Sequence, residues 1–333
     1  MPDDLSHSTA HPYKRLTPDS VMDALESQGF SCDARILALN SYENRVYQVG
    51  IEDSDPVIVK FYRPDRWDKK QIEEEHRFIA ALKDAELPVV APLCNREEST
   101  LSSYDGFLFT VFPRQGGHAP ELDYGNNLLI MGRLLGRMHA IGATEPFQHR
   151  PGITLDRFGQ QSVHFLLEHH IIPDNLITAY ETLTQHILEK LFVIEQQGLP
   201  EVIRVHGDCH SGNILWRNDN PHFVDFDDAA MAPAVQDIWM LLSGNRQQQN
   251  LQLSEIIEGY NEFYSFNPKE LNYVEYFRTL RLIHYNAWLA RRWSDPAFPK
   301  AFSWFNTERY WSEHILELRE QLAALDEMPL QLY

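Results

Sequence analysis

Residues 202–227 limit the fold of this chain more than any other stretch. They read VIRVHGDCHSGNILW and then RNDNPHFVDFD, with DA following, a short β-rich island set among segments with helical periodicity. The segments ILW and HFVDF have strand character and bracket the polar turn RNDNP. A hairpin of this length returns the chain beside its own start. Asp208 and Asn213 lie five residues apart in the loop before the first strand, and Asp225 follows twelve residues later. The three oxygen-bearing side chains are therefore expected to converge. Taken singly, each would serve as a turn cap. Together they suit a hard divalent cation such as Mg2+, which takes one or two carboxylates plus substrate phosphates. Asn213 and Asp225 are the expected ligands. That leaves Asp208 to orient a hydroxyl and take its proton.

The rest of the chain divides around this island. Residues 1–15 read as a polar tail. Thr17-Pro18 starts a helix that Gly29 stops. Residues 33–62 carry three strands, ARILALN, NRVYQVG and PVIVKFY, and an amphipathic helix follows over 68–86. Further strands are expected at 89–93 and 106–112. Beyond Tyr124 come long helices over 126–142, 175–197, 234–243, 250–265, 268–293 and 307–325. The expectation is an α+β chain. An N-terminal lobe spans 16–112, a Pro/Gly joint 113–120 and a larger helical lobe 121–333. A cleft between such lobes is a preferred ligand site.

Composition narrows the classes. The net charge of −19 lacks the basic footprint that nucleic acid or an anionic membrane demands. Three scattered cysteines form no CxxC pair, which suits a reducing cytoplasm. The fifteen histidines are dispersed without zinc-ligand spacing. No apolar run reaches membrane-spanning length. A monomer is expected.

The pattern HGDxHxGN…VDxD resembles the aminoglycoside phosphotransferase and choline kinase branch of the protein-kinase-like fold, with HGD where protein kinases have HRD. Over nearly all of residues 16–333 the resemblance extends to a family of bacterial stress-response serine/threonine kinases on that fold. It is carried by LNSYENRVYQ, VKFYRP, VHGDCHSGNILW, PAVQDIWMLL and RRWSDPAFPK. The resemblance implies a bilobal, ATP- and Mg-dependent transfer of the γ-phosphoryl group to a protein Ser/Thr hydroxyl. A small-molecule kinase of aminoglycoside, choline or homoserine type and a regulatory pseudokinase are the alternatives. The acidic charge suits cationic acceptors of either kind and so does not choose between proteins and small molecules.

A kinase needs a small-lobe lysine for the phosphates and a helix glutamate to hold it. Lys60, closing PVIVK, is the expected lysine. Glu75 is its expected partner, since it shares a helix face with Phe78, Ile79 and Leu82, and Glu74 is the reserve. The phosphate-covering turn falls at Asn40–Asn44. No GxGxxG occurs there, and Ser41 offers a hydroxyl and an N–H. Adenine is placed at residues 109–113, using backbone groups around Val111 and the rings of Phe109 and Phe112 as walls. His206 and His210 are expected to shape the loop, Asp227 to support the site, and Asp237 to brace the loop from the following helix.

Overall fold

The computed structural model describes residues 12–333. Residues 1–11 of the expected tail lie outside the described residues. Residues 12–15 are not tail: Pro12–Arg15 is a 3-10 turn that buries Tyr13. The Tyr13 ring stacks on Phe107 at 5.9 Å, so an aromatic contact anchors this turn to the sheet.

Helix α1 (Pro18–Ser27) begins where Thr17 accepts the Ser20 N–H, with Pro18 in the first turn. Strands β1 (Cys32–Ala38), β2 (Arg45–Ile51) and β3 (Val57–Phe61) form an antiparallel meander. Helix α2 (Lys69–Asp84) follows, started by a reciprocal capping box between Asp68 and Gln71. Strands β4 (Ser102–Tyr104) and β5 (Phe107–Pro113) complete a sheet of order β1-β2-β3-β5-β4. Residues 89–93, expected as a strand, run outside this sheet. Pro88 and Pro92 lack the N–H groups a ladder needs. The segment instead donates from Leu93 N to Val111 O (2.7 Å) and from Val90 N to Phe223 O (3.1 Å). It thereby ties the small lobe to the hairpin of the β island.

The larger lobe begins with α3 (Asn127–Gly142). A π-helical turn (Leu155–Gln160) leads into α4 (Gln161–Glu168), which the sequence reading missed, and α5 (Ile177–Gln196) follows. The β island supplies β6 (Ile203–Val205), β7 (Ile214–Arg217), β8 (Asn220–Phe223) and β9 (Ala230–Ala232), paired as β6-β9 and β7-β8. Then come α6 (Val235–Trp239), α7 (Arg246–Tyr260), α8 (Val274–Arg291), α9 (Ala297–Ala301) and α10 (Glu308–Ala324). Helix α7 starts four residues before the expected 250, where Asn245 and Gln248 form a second capping box. The helix expected over 268–293 is a 3-10 turn (Pro268–Tyr273) followed by α8. The main core runs through this lobe and reaches up to Phe78, Ile79 and Leu82 of α2. Among the described residues no helix is long and apolar enough to cross a membrane.

Helices α3 and α7 pack backbone to backbone because both faces carry glycine. A Cβ on Gly132 would land on the carbonyl oxygen of Ile256, and one on Gly136 on that of Tyr260. This contact positions His139 of α3, which braces the site. Alanine is normally the better helix former by about 1 kcal/mol. At Gly132 the sign should reverse: Gly132→Ala is expected to destabilise by about 1–3 kcal/mol through overpacking. A lowered midpoint in denaturant titration checks this; a raised one would refute the packing argument.

Candidate active site

The loop between β6 and β7 is held from beneath by one carboxylate. Asp237 of α6 is fully buried. Its Oδ2 accepts the His206 N–H (2.8 Å) and its Oδ1 the Gly207 N–H (2.9 Å). His139 Nε2 donates to the same carboxylate at 3.1 Å, and the Tyr260 hydroxyl donates to His139 Nδ1 at 2.9 Å. Gly207 has φ +82°, and a Cβ there would collide with the Asp228 carbonyl oxygen. His206 Nε2 donates to Val224 O (2.9 Å), linking the loop to the end of the hairpin. His210 accepts the Gly212 N–H at Nδ1 (2.9 Å) and directs Nε2 toward Asp208 Oδ2 (3.5 Å). Both histidines thus shape the loop.

Asp208 points out of this frame. Asn213 Nδ2 donates to its carbonyl (2.9 Å) and to its carboxylate (3.2 Å). Arg281 of α8 lies 2.6 Å from Asp208 Oδ1, an ionic contact without hydrogen-bond geometry. Burial alone would raise the Asp208 pKa. The His210 hydrogen bond and the Arg281 cation outweigh burial and hold it below the usual carboxylate range.

The β7-β8 turn is Asn218-Asp219, both with positive φ, the geometry of a tight two-residue hairpin. It brings Val224 N to Asn213 O at 3.0 Å, so Asp225 returns beside the loop. Asp225 adopts a left-handed conformation (φ 59°, ψ 63°). Its Oδ1 is 3.0 Å from Lys60 Nζ, and Asp227 Oδ1 is equally close. The Lys60 amine is almost wholly buried. Burial disfavours its charge, but Asp225, Asp227 and Glu75 outweigh that, and its pKa rises. Asp227 also takes Arg66 and the Asn44 amide (3.2 Å).

The expected Lys60–Glu75 pair is not formed. Glu75 turns to Arg150, which is fully buried, with NH1 3.0 Å from Oε2. Glu74 accepts the backbone N–H groups of Gln148 (2.6 Å), His149 (2.8 Å) and Arg150 (2.8 Å). Arg150 also donates to Ala229 O (2.7 Å) and to Asp227 O. With two aspartates already on Lys60, the helix carboxylates serve Arg150 and its loop instead. The adenine walls need correction too. Phe109 is buried in the small-lobe core, stacked on Phe61 at 5.2 Å, and Val111 belongs to the same cluster. Strand alternation sends Phe112 to the opposite face. Ser41 lies half-buried in the β1–β2 turn, whose Asn44 contacts Asp227.

Sequence reasoning missed Arg66, Arg150 and Arg281. Arg66 and Arg150 lie in stretches without a periodic signal, Arg281 lies on a helix whose periodicity names no partner, and only the tertiary fold reveals each carboxylate.

A β-sheet lobe with an inserted helix, a helical lobe, and a lysine meeting a loop Asp–Asn pair and a hairpin aspartate between them define a kinase-type phosphotransferase. The chain belongs to the phosphotransferase enzyme family, whose model matches residues 35–273. It is 44% identical over 326 residues to stress response kinase A of Escherichia coli (strain K12), covering 98% of each chain. It is 43% identical, with the same coverage, to serine/threonine protein kinase RdoA of Salmonella typhimurium. Among solved structures it is similar to amicoumacin kinase hAmiN in complex with AMP-PNP, Ca2+ and Ami (TM-score 0.73, 18% identity, 97% of this chain and 98% of that one). A microcompartment-associated aminopropanol kinase gives TM-score 0.68 at 17% identity, covering 92% and 96%. The protein is a kinase.

One carboxylate of α6 holds the loop and another holds α6, and each can be tested. Asp237→Ala strands two buried N–H groups and the His139 ring. It is expected to cost about 3 kcal/mol or more in stability and to abolish transfer. Calorimetric melting with a transfer assay measures both, and an unchanged melt would remove the brace. Glu270 is buried against the start of α6 and accepts the Val235 N–H at 2.9 Å. Burial pushes its pKa up to about 7. The folded state then holds a proton that the unfolded chain releases near pH 4.5. Stability is full below that value and is lost as pH rises through about 7. Glu270→Gln should match the parent at pH 4.5 and exceed it by about 3 kcal/mol at pH 8. Equal stability at both pH values would refute a buried neutral carboxyl.

Proposed function

We propose that this kinase transfers the γ-phosphoryl group of Mg-ATP to a serine or threonine hydroxyl of a protein, within a bacterial stress response. The observation that carries the reading is the buried Lys60 amine, 3.0 Å from both Asp225 and Asp227, beside the Asp208–Asn213 loop. The protein acceptor and the stress role rest on the names of the relatives at 43–44% identity over 98% of the chain. The small-molecule kinases among the solved structures share the fold, which does not by itself assign an acceptor. Three unpaired cysteines suit a reducing cytoplasm.

The donor set fits a magnesium ion. Asn213 turns its nitrogen to Asp208, leaving Oδ1 as a donor, and Asp225 is half exposed with Oδ2 open. Among the described residues no three His, Cys, Asp or Glu side chains form a metal cage. A cation here would need the amide oxygen and the nucleotide's own phosphates. Bound by Asn213 and Asp225, it would neutralise charge on the transferring phosphates.

The protein's own groups supply the rest. Lys60 exchanges a carboxylate for phosphate oxygens. Ser41, on the β1–β2 turn, offers its N–H and hydroxyl from above. Asp227 and Asp237 hold the frame. Asp208 receives the acceptor hydroxyl. Its depressed pKa makes it a weak base, so it acts chiefly by orientation and takes the proton late, as a loose phosphoryl transition state allows.

Asp208→Asn keeps the side-chain shape. Mg-ATP affinity by calorimetry should stay near the parent value, while single-turnover transfer to protein acceptors falls by roughly 10²–10⁴-fold. A fall in affinity with the rate would make Asp208 a metal ligand. A normal rate would remove it from the mechanism. Running the parent enzyme on protein and metabolite panels tests the acceptor class.

A further inference from the structure

The chain as a whole is acidic, at −19, yet the wall of the cleft beside Asp208 is cationic. Helix α8 carries Arg281, His284, Trp288 and Arg291 at spacings of three and four, along one side. Arg281 meets Asp208 at 2.6 Å and is 43% exposed. It therefore occupies the oxygen that an acceptor hydroxyl must reach. His284 is half-buried, with its ring 4.1 Å from that of Phe158 and its Nδ1 within hydrogen-bond distance of the Ser162 hydroxyl (3.1 Å). Burial first, then the guanidinium groups of Arg157, Arg291, Arg292 and Arg66, hold it uncharged. These cations thus crowd one small region.

Arg157 faces this wall from the π-helical turn. Its guanidinium lies over Trp67 (5.6 Å) and Phe158 (5.3 Å). Among the described residues no carboxylate lies within ion-pair distance of it, and no hydrogen bond from its side chain is formed. Burial pulls its pKa down to about 10. Asp228 opposes this, and Arg66, Arg150 and Arg291 add repulsion. The indole N–H of Trp67 is likewise buried without an acceptor. Asp228 connects the two places, since its carboxylate pairs with Arg66 at 2.6 Å and is close enough to feel Asp208 and Asp225. A partly buried cation without a carboxylate partner is costly, and an arriving anion would satisfy Arg157.

We infer that the acceptor is acidic: a serine or threonine flanked by anionic side chains, with Arg281 released from Asp208 onto one flanking anion and Arg157 pairing with another. This rests on the protein-acceptor reading and sets its specificity. It runs against what net charge alone suggests, since a polycationic acceptor would meet Arg157 and Arg281 as like charges.

The test offers the full-length enzyme four acceptors: a Ser peptide flanked by Asp and Glu, the same peptide flanked by Lys and Arg, a small hydroxy acid and a small hydroxy amine. The acidic peptide should lead the basic one in kcat/KM by about tenfold or more. Arg157→Glu should collapse that ratio by at least about tenfold, Arg157→Gln by less, and Arg157→Lys should largely restore it. The ratio is internal to each variant, so partial loss of folded protein does not move it. Replacing flanking Asp by phosphoserine distinguishes carboxylate from phosphate as the preferred anion, and either agrees with the inference. A basic or absent preference in the parent overturns the inference and leaves the protein-acceptor reading standing. An acidic preference that Arg157→Glu leaves intact overturns the role of Arg157. Transfer to small molecules alone overturns the protein-acceptor reading. In that case a lead for the hydroxy acid keeps the anionic specificity, and a lead for the hydroxy amine removes it. Transfer to none of the four overturns both.

Discussion

The buried carboxylate of Asp237 is the constraint on which the site depends. A loop that must expose Asp208 cannot also be held by a regular ladder, so its N–H groups need other acceptors. Asp237 accepts two of them at 2.8 and 2.9 Å and takes a third hydrogen bond from His139. Such a carboxylate is worth its desolvation only if every lone pair is used, and three donors from two different elements come close to that. The same arrangement explains the glycines of α3. His139 reaches Asp237 because Gly132 and Gly136 let α3 lie directly on the backbone of α7, where Tyr260 fixes the ring.

A second set of ionic contacts joins the lobes at the mouth of the cleft. Glu43, in the β1–β2 turn, meets Arg63 (3.0 Å), Arg66 (3.4 Å) and Arg292, and accepts the Trp288 indole N–H at 2.6 Å. Asp295 takes Arg45 (2.8 Å) and Arg63 (2.7 Å). The turn that would cover the phosphates is therefore fastened to the α8–α9 region by charge and by the Tyr42 ring, which packs on Phe302 at 4.8 Å and Phe298 at 6.3 Å. These ion pairs are largely buried, so salt screens them little.

The site was legible in the sequence where its signal is local. HGDCHSGN and VDFDD place their own residues, because a two-residue hairpin leaves the chain little freedom. Lys60 was legible from the apolar strand before it. The arginines were not, since Arg150, Arg66 and Arg281 find their carboxylates across 73 to 161 residues of chain. The Lys60–Glu75 pair was misjudged for the same reason. Helix periodicity correctly turned Glu75 inward, and only the tertiary structure supplied the nearer cation. Residues 89–93 show the opposite failure: apolar content suggested a strand, while two prolines denied it a ladder.

The two aspartates on Lys60 are not equivalent, and the difference bears on their roles. Asp227 is buried and also held by Arg66 and the Asn44 amide, so moving it would strand several groups. Asp225 is 54% exposed, and Lys60 is its ion-pair partner. Were phosphate oxygens to reach Lys60, as proposed, the weaker attachment would give way first. A half-exposed carboxylate on a left-handed residue beside Asn213 would then be free to face a cation, while Asp227 would keep the amine oriented. That asymmetry favours Asp225 over Asp227 as the metal ligand. It also explains why one motif carries two aspartates two residues apart.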